Sequence, residues 1–246
     1  MEEKIKQLKN MIEESSHIVF FGGAGVSTES GIPDFRSKDG IYNMKYKYPP
    51  EEILSKSFFF SHTQEFYEFY KDKLNSLKYE PNITHKRLAE LENEGKIDAV
   101  ITQNIDSLHQ KAGSKVVYEL HGTIMKNYCV SCKKEYDAKY VFESNGIPRC
   151  TCGGVIKPNV VLYGENLDKG VMALSALAIS NADMLIVAGT SLNVYPAAGF
   201  INYYKGNKLV IINRDATDYD SIANLVINAS LGDVFSKIWY NKGTNY

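Results

Sequence analysis

The chain has 246 residues, of which 44% are hydrophobic and 23% charged, with a formal net charge of −1, 18 glycines and 7 prolines. That length can bury a full α/β core with a smaller module inserted, and the near-neutral charge excludes nonspecific electrostatic binding to DNA or RNA. No apolar run is long enough to span a bilayer, so the expectation is a cytoplasmic protein with no membrane partner, whose 4 cysteines are thiols or metal ligands rather than disulfides.

Residues 1–15 read as an amphipathic helix, with Ile5, Leu8, Met11 and Ile12 on one face and no continuous apolar core of the signal-peptide kind. Ile18-Val19-Phe20-Phe21 reads as a short buried strand, and Gly22-Gly23-Ala24-Gly25-Val26-Ser27-Thr28 follows at once. A glycine turn leaving a strand lets backbone N–H groups approach phosphate oxygens with no Cβ in the way. Thr28 stands where the dinucleotide fingerprint G-x-G-x-x-G puts its third glycine, and Glu29-Ser30-Gly31-Ile32-Pro33-Asp34-Phe35-Arg36 continues as a loop rather than a clean helix.

Further strands are expected at 97–102, 116–120, 159–163, 184–188 and 209–213, and helices at 82–94, 104–112, 167–180, 195–205 and 231–240. Strand–helix alternation with continuous apolar strands argues for a parallel sheet covered on both faces. Residues 37–80, rich in Tyr, Phe and Lys, and residues 122–156, which hold all the cysteines, break the alternation. Both read as excursions that pack together as a small second domain. The expected large domain is then 1–36, 81–121 and 157–246.

Gln103, Asn104 and Asp106 cluster where the 97–102 strand ends. They suit recognition of a carboxamide or a ribose, and Asn104 or Asp106 equally suits a helix N-cap. His121-Gly122 ends the next strand, where an imidazole can reach a ligand as general base or simply pack; His17, His62, His85 and His109 read as structural. Cys129-x-x-Cys132, seventeen residues, then Cys150-x-Cys152 has the spacing of a zinc-ribbon site. Four thiolates fill a tetrahedral shell, so this Zn²⁺ is structural and leaves no position for water or substrate. The 184–188 strand runs into Gly189-Thr190-Ser191, and about two dozen residues later Asn213-Arg214 ends another strand. Asn213 can hydrogen-bond a ribose hydroxyl there, or cap the strand end.

Together these segments resemble the sirtuin family of NAD⁺-dependent protein deacylases. The resemblance covers nearly the whole chain: the glycine turn through Arg36, then 102–106, His121-Gly122, the four cysteines, Pro158-Asn159-Val160-Val161-Leu162-Tyr163-Gly164-Glu165, and Gly189-Thr190-Ser191-Leu192 with Val194-Tyr195-Pro196. It implies a Rossmann-like parallel sheet with helices on both faces. It also implies a smaller domain, built of a helical module and a Cys₄ zinc-ribbon module. NAD⁺ as co-substrate and an acetyl-lysine protein or peptide would meet between them.

Carried onto matching positions, the resemblance puts Ala24, Thr28, Phe35 and Arg36 at the phosphates and nicotinamide ribose, and Gln103, Asn104, Ile105 and Asp106 at the ribose and carboxamide. Gly189, Thr190, Ser191, Asn213 and Arg214 would hold the adenosine, with Asp233 in a loop closing over the adenine. Val160, Gly164, Glu165 and Asn166, with Leu192, Asn193 and Val194, would pair with the peptide backbone. His121 would contact the co-substrate and act as base, so that the acetyl group passes to ADP-ribose while nicotinamide leaves.

Ser37, Lys157 and Asp168 depart from the residues usual in the family, and none removes a reacting group. The stretch Phe66-Tyr67-Glu68-Phe69-Tyr70-Lys71 lacks the Tyr-x-x-Arg pair of sirtuins that take acidic acyl groups, so acetyl or another neutral acyl group is expected. The alternatives are a preference for longer neutral acyl chains, and ADP-ribosyl transfer to protein. A monomer is expected.

Overall fold

A computed structural model describes residues 1–34, 40 and 46–238. Five consecutive apolar or glycine positions form β1 (Ile18–Gly22), buried throughout because helices cover both faces of its sheet. In chain order, α1 (Glu2–Glu13) precedes it, and the glycine turn after it forms two 3₁₀ turns, Ala24–Val26 and Thr28–Ser30, stopped by the left-handed Gly31. Then come α2 (Pro50–Ile53), α3 (Lys56–Ser61), α4 (Thr63–Lys73), α5 (Ile83–Asn93), β2 (Ile97–Thr102), α6 (Leu108–Ala112) and β3 (Val117–Glu119). The cysteine segment holds β4 (Gly122–Cys129), β5 (Glu135–Asp137) and α7 (Ala138–Glu143), followed by β6 (Ile156–Val160). The chain continues with α8 (Lys169–Asn181), β7 (Met184–Ala188), a 3₁₀ helix at Ala197–Tyr203, β8 (Leu209–Asn213), β9 (Leu225–Asn228) and α9 (Leu231–Phe235).

Six strands form one sheet in the order β3-β2-β1-β7-β8-β9, every pair parallel. Alternate side chains feed two cores, which is the period-two rule of a strand. Ile18, Phe20, Val100, Ile186, Val210 and Ile227 face α1, α5 and α9. Val19, Phe21, Ile101, Leu185, Val187 and Ile211 face α8 and the 197–203 helix. The strand order reverses between β1 and β7, so their carboxyl ends open a crevice, where ligands of such sheets bind.

A second, antiparallel sheet, β5-β4-β6, carries the cysteines. Its core is aromatic: Phe58, Phe59, Phe66, Tyr67, Phe69 and Tyr70 of α3 and α4 pack on Ile124, Val141 and Ile156. The helices of 46–80 and the strands of 122–160 thus share one apolar cluster.

Several expectations need correction. The strand expected at 159–163 is β6 at Ile156–Val160, and it pairs with β4 rather than joining the large sheet. Pro158, which has no N–H to donate, fits an edge strand there. The helix expected at 104–112 spans only Leu108–Ala112, because 103–107 stay irregular and Ser107 is left-handed. The last helix is short, Leu231–Phe235, and places Asp233 inside its first turn rather than in a preceding loop. Three strands were not anticipated: β9, a run of only 4 residues, β5, a run of only 3, and β4, whose polar Lys126 and Asn127 hide its pattern.

Candidate active site

The two glycine loops interlock at the switch point. Gly25 N–H donates to Gly189 O at 2.8 Å, and Gly23 N–H to Ala188 O at 3.2 Å. A Cβ on Gly25 would lie 2.8 Å from Gly189 Cα, and one on Gly189, whose φ is +61°, would lie 2.6 Å from Val26 N. Neither position takes a side chain without parting the loops. The β1 and β7 turns are therefore one rigid floor.

Above it, Gln103 Nε2 donates to Thr190 Oγ1 at 3.0 Å, tying the β2 end to the β7 end. Thr190 is held in turn by Asn213, which accepts from Thr190 N–H at 3.0 Å and donates to Thr190 O at 2.9 Å. The strand-end role weighed for Asn213 is thus filled, although the residue also lines the cleft. Arg214 Nη2 lies 3.7 Å from Asp34 Oδ2, linking the β8 end to the β1 loop.

At the other end of the floor, Asn104 Nδ2 donates to Ser27 Oγ at 3.0 Å, and Ser27 Oγ donates to Asp106 Oδ2 at 2.6 Å. Asp106 Oδ1 accepts the Leu108 N–H at 2.9 Å, so one carboxyl serves both the helix start and the polar cluster. Burial raises the Asp106 pKa, while the bonds from Ser27 and Leu108 pull it down.

His121 lies on the same cleft. Its Nδ1 is 2.9 Å from Gln103 O. A carbonyl can only accept, so Nδ1 carries the proton and Nε2 keeps its lone pair. Burial holds the imidazole below its ordinary pKa, opposed by the Gln103 bond. The result is a neutral ring of fixed tautomer with a free basic nitrogen.

These groups line one cleft of about 570 Å³ between the carboxyl edge of the large sheet and the aromatic-cored module. Of the residues expected at the site, it brings together Ala24, Thr28, Gln103, Asn104, Ile105, Asp106, His121, Gly189, Thr190, Ser191, Asn213 and Arg214, with Val160, Gly164, Glu165 and Val194. Asn166 lines a smaller neighbouring cavity of about 340 Å³, across the 160–165 segment. Phe35 and Arg36 lie outside the described residues.

Three expected residues stand off the cleft. Asp233 sits in the first turn of α9, its N–H donating to the cap Ser230 Oγ at 3.2 Å, and Ser230 and Leu231 line the cleft in its stead. Leu192 turns left-handed at φ +56° and drops its side chain into the core, 3% exposed. Asn193 is exposed and is not among the lining residues. Sequence reasoning missed the wall formed by Asn75, Ser76, Tyr79 and Thr217. Ser230-x-x-Asp233, a capping signature placed after an apolar run, was the available signal for the α9 edge.

Tyr67 and Tyr70 point into the aromatic core, and Lys71 Nζ is bonded to Ser144 Oγ at 2.8 Å and Gly146 O at 2.7 Å. None of the three lines the cleft. Away from it, Cys129, Cys132, Cys150 and Cys152 hold their sulfurs within 4.8 Å of one another. Two Sγ–Sγ pairs lie at 3.5 Å, close to the ~3.8 Å edge of a tetrahedron with Zn–S bonds of about 2.3 Å. The cluster fits structural zinc. No helix among the described residues is long and apolar enough to cross a membrane.

The model of the Sir2 family matches residues 23–196. An NAD-dependent protein deacetylase of Clostridium acetobutylicum is 56% identical over 240 residues, covering 96% of this chain and 98% of that protein. The one of Thermotoga maritima is 43% identical over 98% of this chain and 99% of that protein. Among solved structures, a Sir2 variant with deacetylated p53 peptide and 3′-O-acetyl ADP-ribose superposes with a TM-score of 0.88 at 42% identity, covering 95% of this chain and 96% of that one. A complex of Sir2 with p53 peptide and NAD⁺ gives 0.86 at 42% identity, with the same coverage.

Proposed function

The chain belongs to the Sir2 family and is an NAD-dependent protein deacetylase, and on that premise we propose how its own residues carry out the reaction. The observation that carries the reading is the neutral His121, with Nε2 free on the cleft that the two glycine loops floor.

NAD⁺ lies across that floor as co-substrate. Backbone N–H groups near Ala24 and Thr28 receive the phosphates, and Thr190, Ser191, Asn213 and Arg214 flank the adenosine. Asp106 and Asn104, with Gln103 and Ile105, hold the nicotinamide carboxamide and its ribose. The acetyl-lysine peptide runs along Val160, Gly164 and Glu165 on one side and Val194 on the other, as an added strand.

The acetyl oxygen attacks C1′ of the ribose as nicotinamide departs with the bonding electrons. His121 Nε2 then takes the proton of a ribose hydroxyl, whose oxygen attacks the former acetyl carbon. Water completes the release of lysine and O-acetyl-ADP-ribose. Gln103 holds the imidazole in the tautomer this requires, and the cleft brings the base and the two substrates into one place.

The helices of 37–80 and the cysteine module of 122–156 form the smaller domain, with β6 attached to it by pairing. The protein acts in the cytoplasm as a monomer. Incubation with NAD⁺ and an acetyl-lysine peptide, read by mass spectrometry, tests the whole. Equimolar nicotinamide, deacetylated peptide and acetyl-ADP-ribose are expected, and a peptide gaining ADP-ribose would turn the reading to protein ADP-ribosylation. His121→Ala should abolish turnover with NAD⁺ binding retained; undiminished turnover would remove His121 from the chemistry.

A further inference from the structure

The 160–165 segment is held differently on its two edges. On one edge the partners are backbone groups: Val161 N–H donates to His121 O and Tyr163 N–H to Leu54 O, each at 2.9 Å. On the opposite edge Val160 O and Leu162 N–H meet side chains. Lys157 Nζ donates to Val160 O at 3.1 Å, to Pro158 O at 3.2 Å and to Glu165 Oε2 at 3.0 Å. The same Glu165 oxygen accepts Leu162 N–H at 3.0 Å.

Lys157 is 3% exposed, under the Tyr128 ring at 5.9 Å, and all three of its ammonium protons have acceptors. Burial lowers its pKa and the Glu165 carboxylate raises it again. A buried ammonium is tolerated only where it is paired and fully hydrogen-bonded, and both conditions hold here. The pair closes a loop that spans Pro158 to Glu165 and whose middle is bonded to the backbone of His121.

We propose that Lys157 and Glu165 form a positioning pair that fixes the 160–165 segment, along which the peptide pairs, relative to His121. The proposal rests on the deacetylase reading, and wild-type turnover of acetyl-peptide tests that reading separately. Lys157→Met removes the donor to Val160 O and leaves the Glu165 carboxylate with only the Leu162 N–H.

The expected result is an acetyl-peptide KM raised about tenfold or more, with the KM for NAD⁺ changed less than about twofold, which is loss of peptide binding rather than of the NAD⁺ site. Lys157→Arg, which keeps the charge and the donors, should bring the peptide KM back to within about threefold of wild type. Bound zinc at one per chain reports that the module around β4 and β6 is folded. A zinc-loaded Lys157→Met protein with wild-type peptide KM would overturn the proposal. If Lys157→Met loses its zinc, Glu165→Gln decides: it keeps an acceptor for Leu162 N–H but removes the ionic partner, and an unchanged peptide KM there overturns the pair as well.

Discussion

Asn213 and Thr190 grip each other through two hydrogen bonds, one in each direction between the Asn213 amide and the Thr190 backbone. Only a carboxamide of that reach both accepts and donates at this place, so the uncharged residue at the end of β8 has a structural reason.

Asn213→Asp keeps the acceptor but turns a carboxylate oxygen toward Thr190 O, which loses its donor in a site 9% exposed. An orphaned buried carbonyl costs about 1–3 kcal/mol. Urea denaturation should show a loss of that size. The KM for NAD⁺ should rise because Thr190 also accepts from Gln103. Unchanged stability would mean the clamp contributes nothing.

Gly122, next to His121, has φ +73°, and a Cβ there would stand 2.0 Å from Asn159 O. Gly122→Ala therefore combines left-handed strain of about 1–3 kcal/mol with displacement of the 159–161 backbone. That backbone holds His121 through Val161 N–H. The expected outcome is a protein destabilised by at least about 2 kcal/mol and with a lowered kcat, measured by denaturation and by steady-state turnover. Wild-type kcat in a stable variant would show that this backbone moves freely of His121.

What was legible in the sequence is local. The strand-then-glycine pattern at 18–25 and 184–189 declares both loops, and paired cysteines declare the zinc site, because each signal lies within a few residues. His121 stood out by ending a strand beside a glycine. The partners were not legible. An apolar run at 159–163 does not say which sheet it joins, and β6 joined the smaller one. Asn213 and Thr190 are 23 residues apart, and their mutual clamp exists only once β7 and β8 pair. Asp233 is placed in a loop by the family resemblance alone, against the helix expected over 231–240, and it lies in the first turn of a five-residue helix capped by Ser230.

Acyl choice follows from α4. Tyr67 and Tyr70 are buried among Phe59, Phe66 and Phe142, and Lys71 donates to the Ser144 hydroxyl and the Gly146 carbonyl just beyond α7. The α4 cation that does line the cleft, Lys73, is paired with Asp72 at 2.9 Å, and burial of an acyl carboxylate without a partner is unfavourable by several kcal/mol. Acetyl-peptide should therefore exceed succinyl-peptide in kcat/KM by at least about a hundredfold, since about 2.7 kcal/mol already gives that ratio. Side-by-side assays at equal NAD⁺ decide it, and a succinyl preference would refute the argument.

Acid should act on this protein through its buried imidazoles. His85 is held down to about 4 by burial. His109, wedged against His85 at 4.7 Å with no hydrogen-bond partner on either ring nitrogen, is pushed well below its ordinary value by burial and by that neighbour. A histidine whose folded pKa lies below its unfolded one binds more protons when unfolded. Stability is then full above about pH 6.5 and is lost as the pH falls from there toward the folded pKa. His85 alone removes about 2 kcal/mol between pH 7 and 5.

Asp106 and Glu119, both raised by burial, act with the opposite sign, recovering part of the loss as they protonate below their folded pKa values. Unfolding free energy measured against pH should therefore decline from pH 7 to 5, and His109→Leu, which removes one of these groups from an apolar setting, should make the decline shallower. Equal slopes in the two proteins would show that His109 does not remain neutral in the fold. Activity responds to the same physics at a different residue: because burial lowers His121, the acid limb of kcat/KM should fall below pH 6.5. His121→Ala cannot report that limb, but Gln110 and Ser107, which hydrogen-bond Glu119 two residues before His121, should leave it in place when changed.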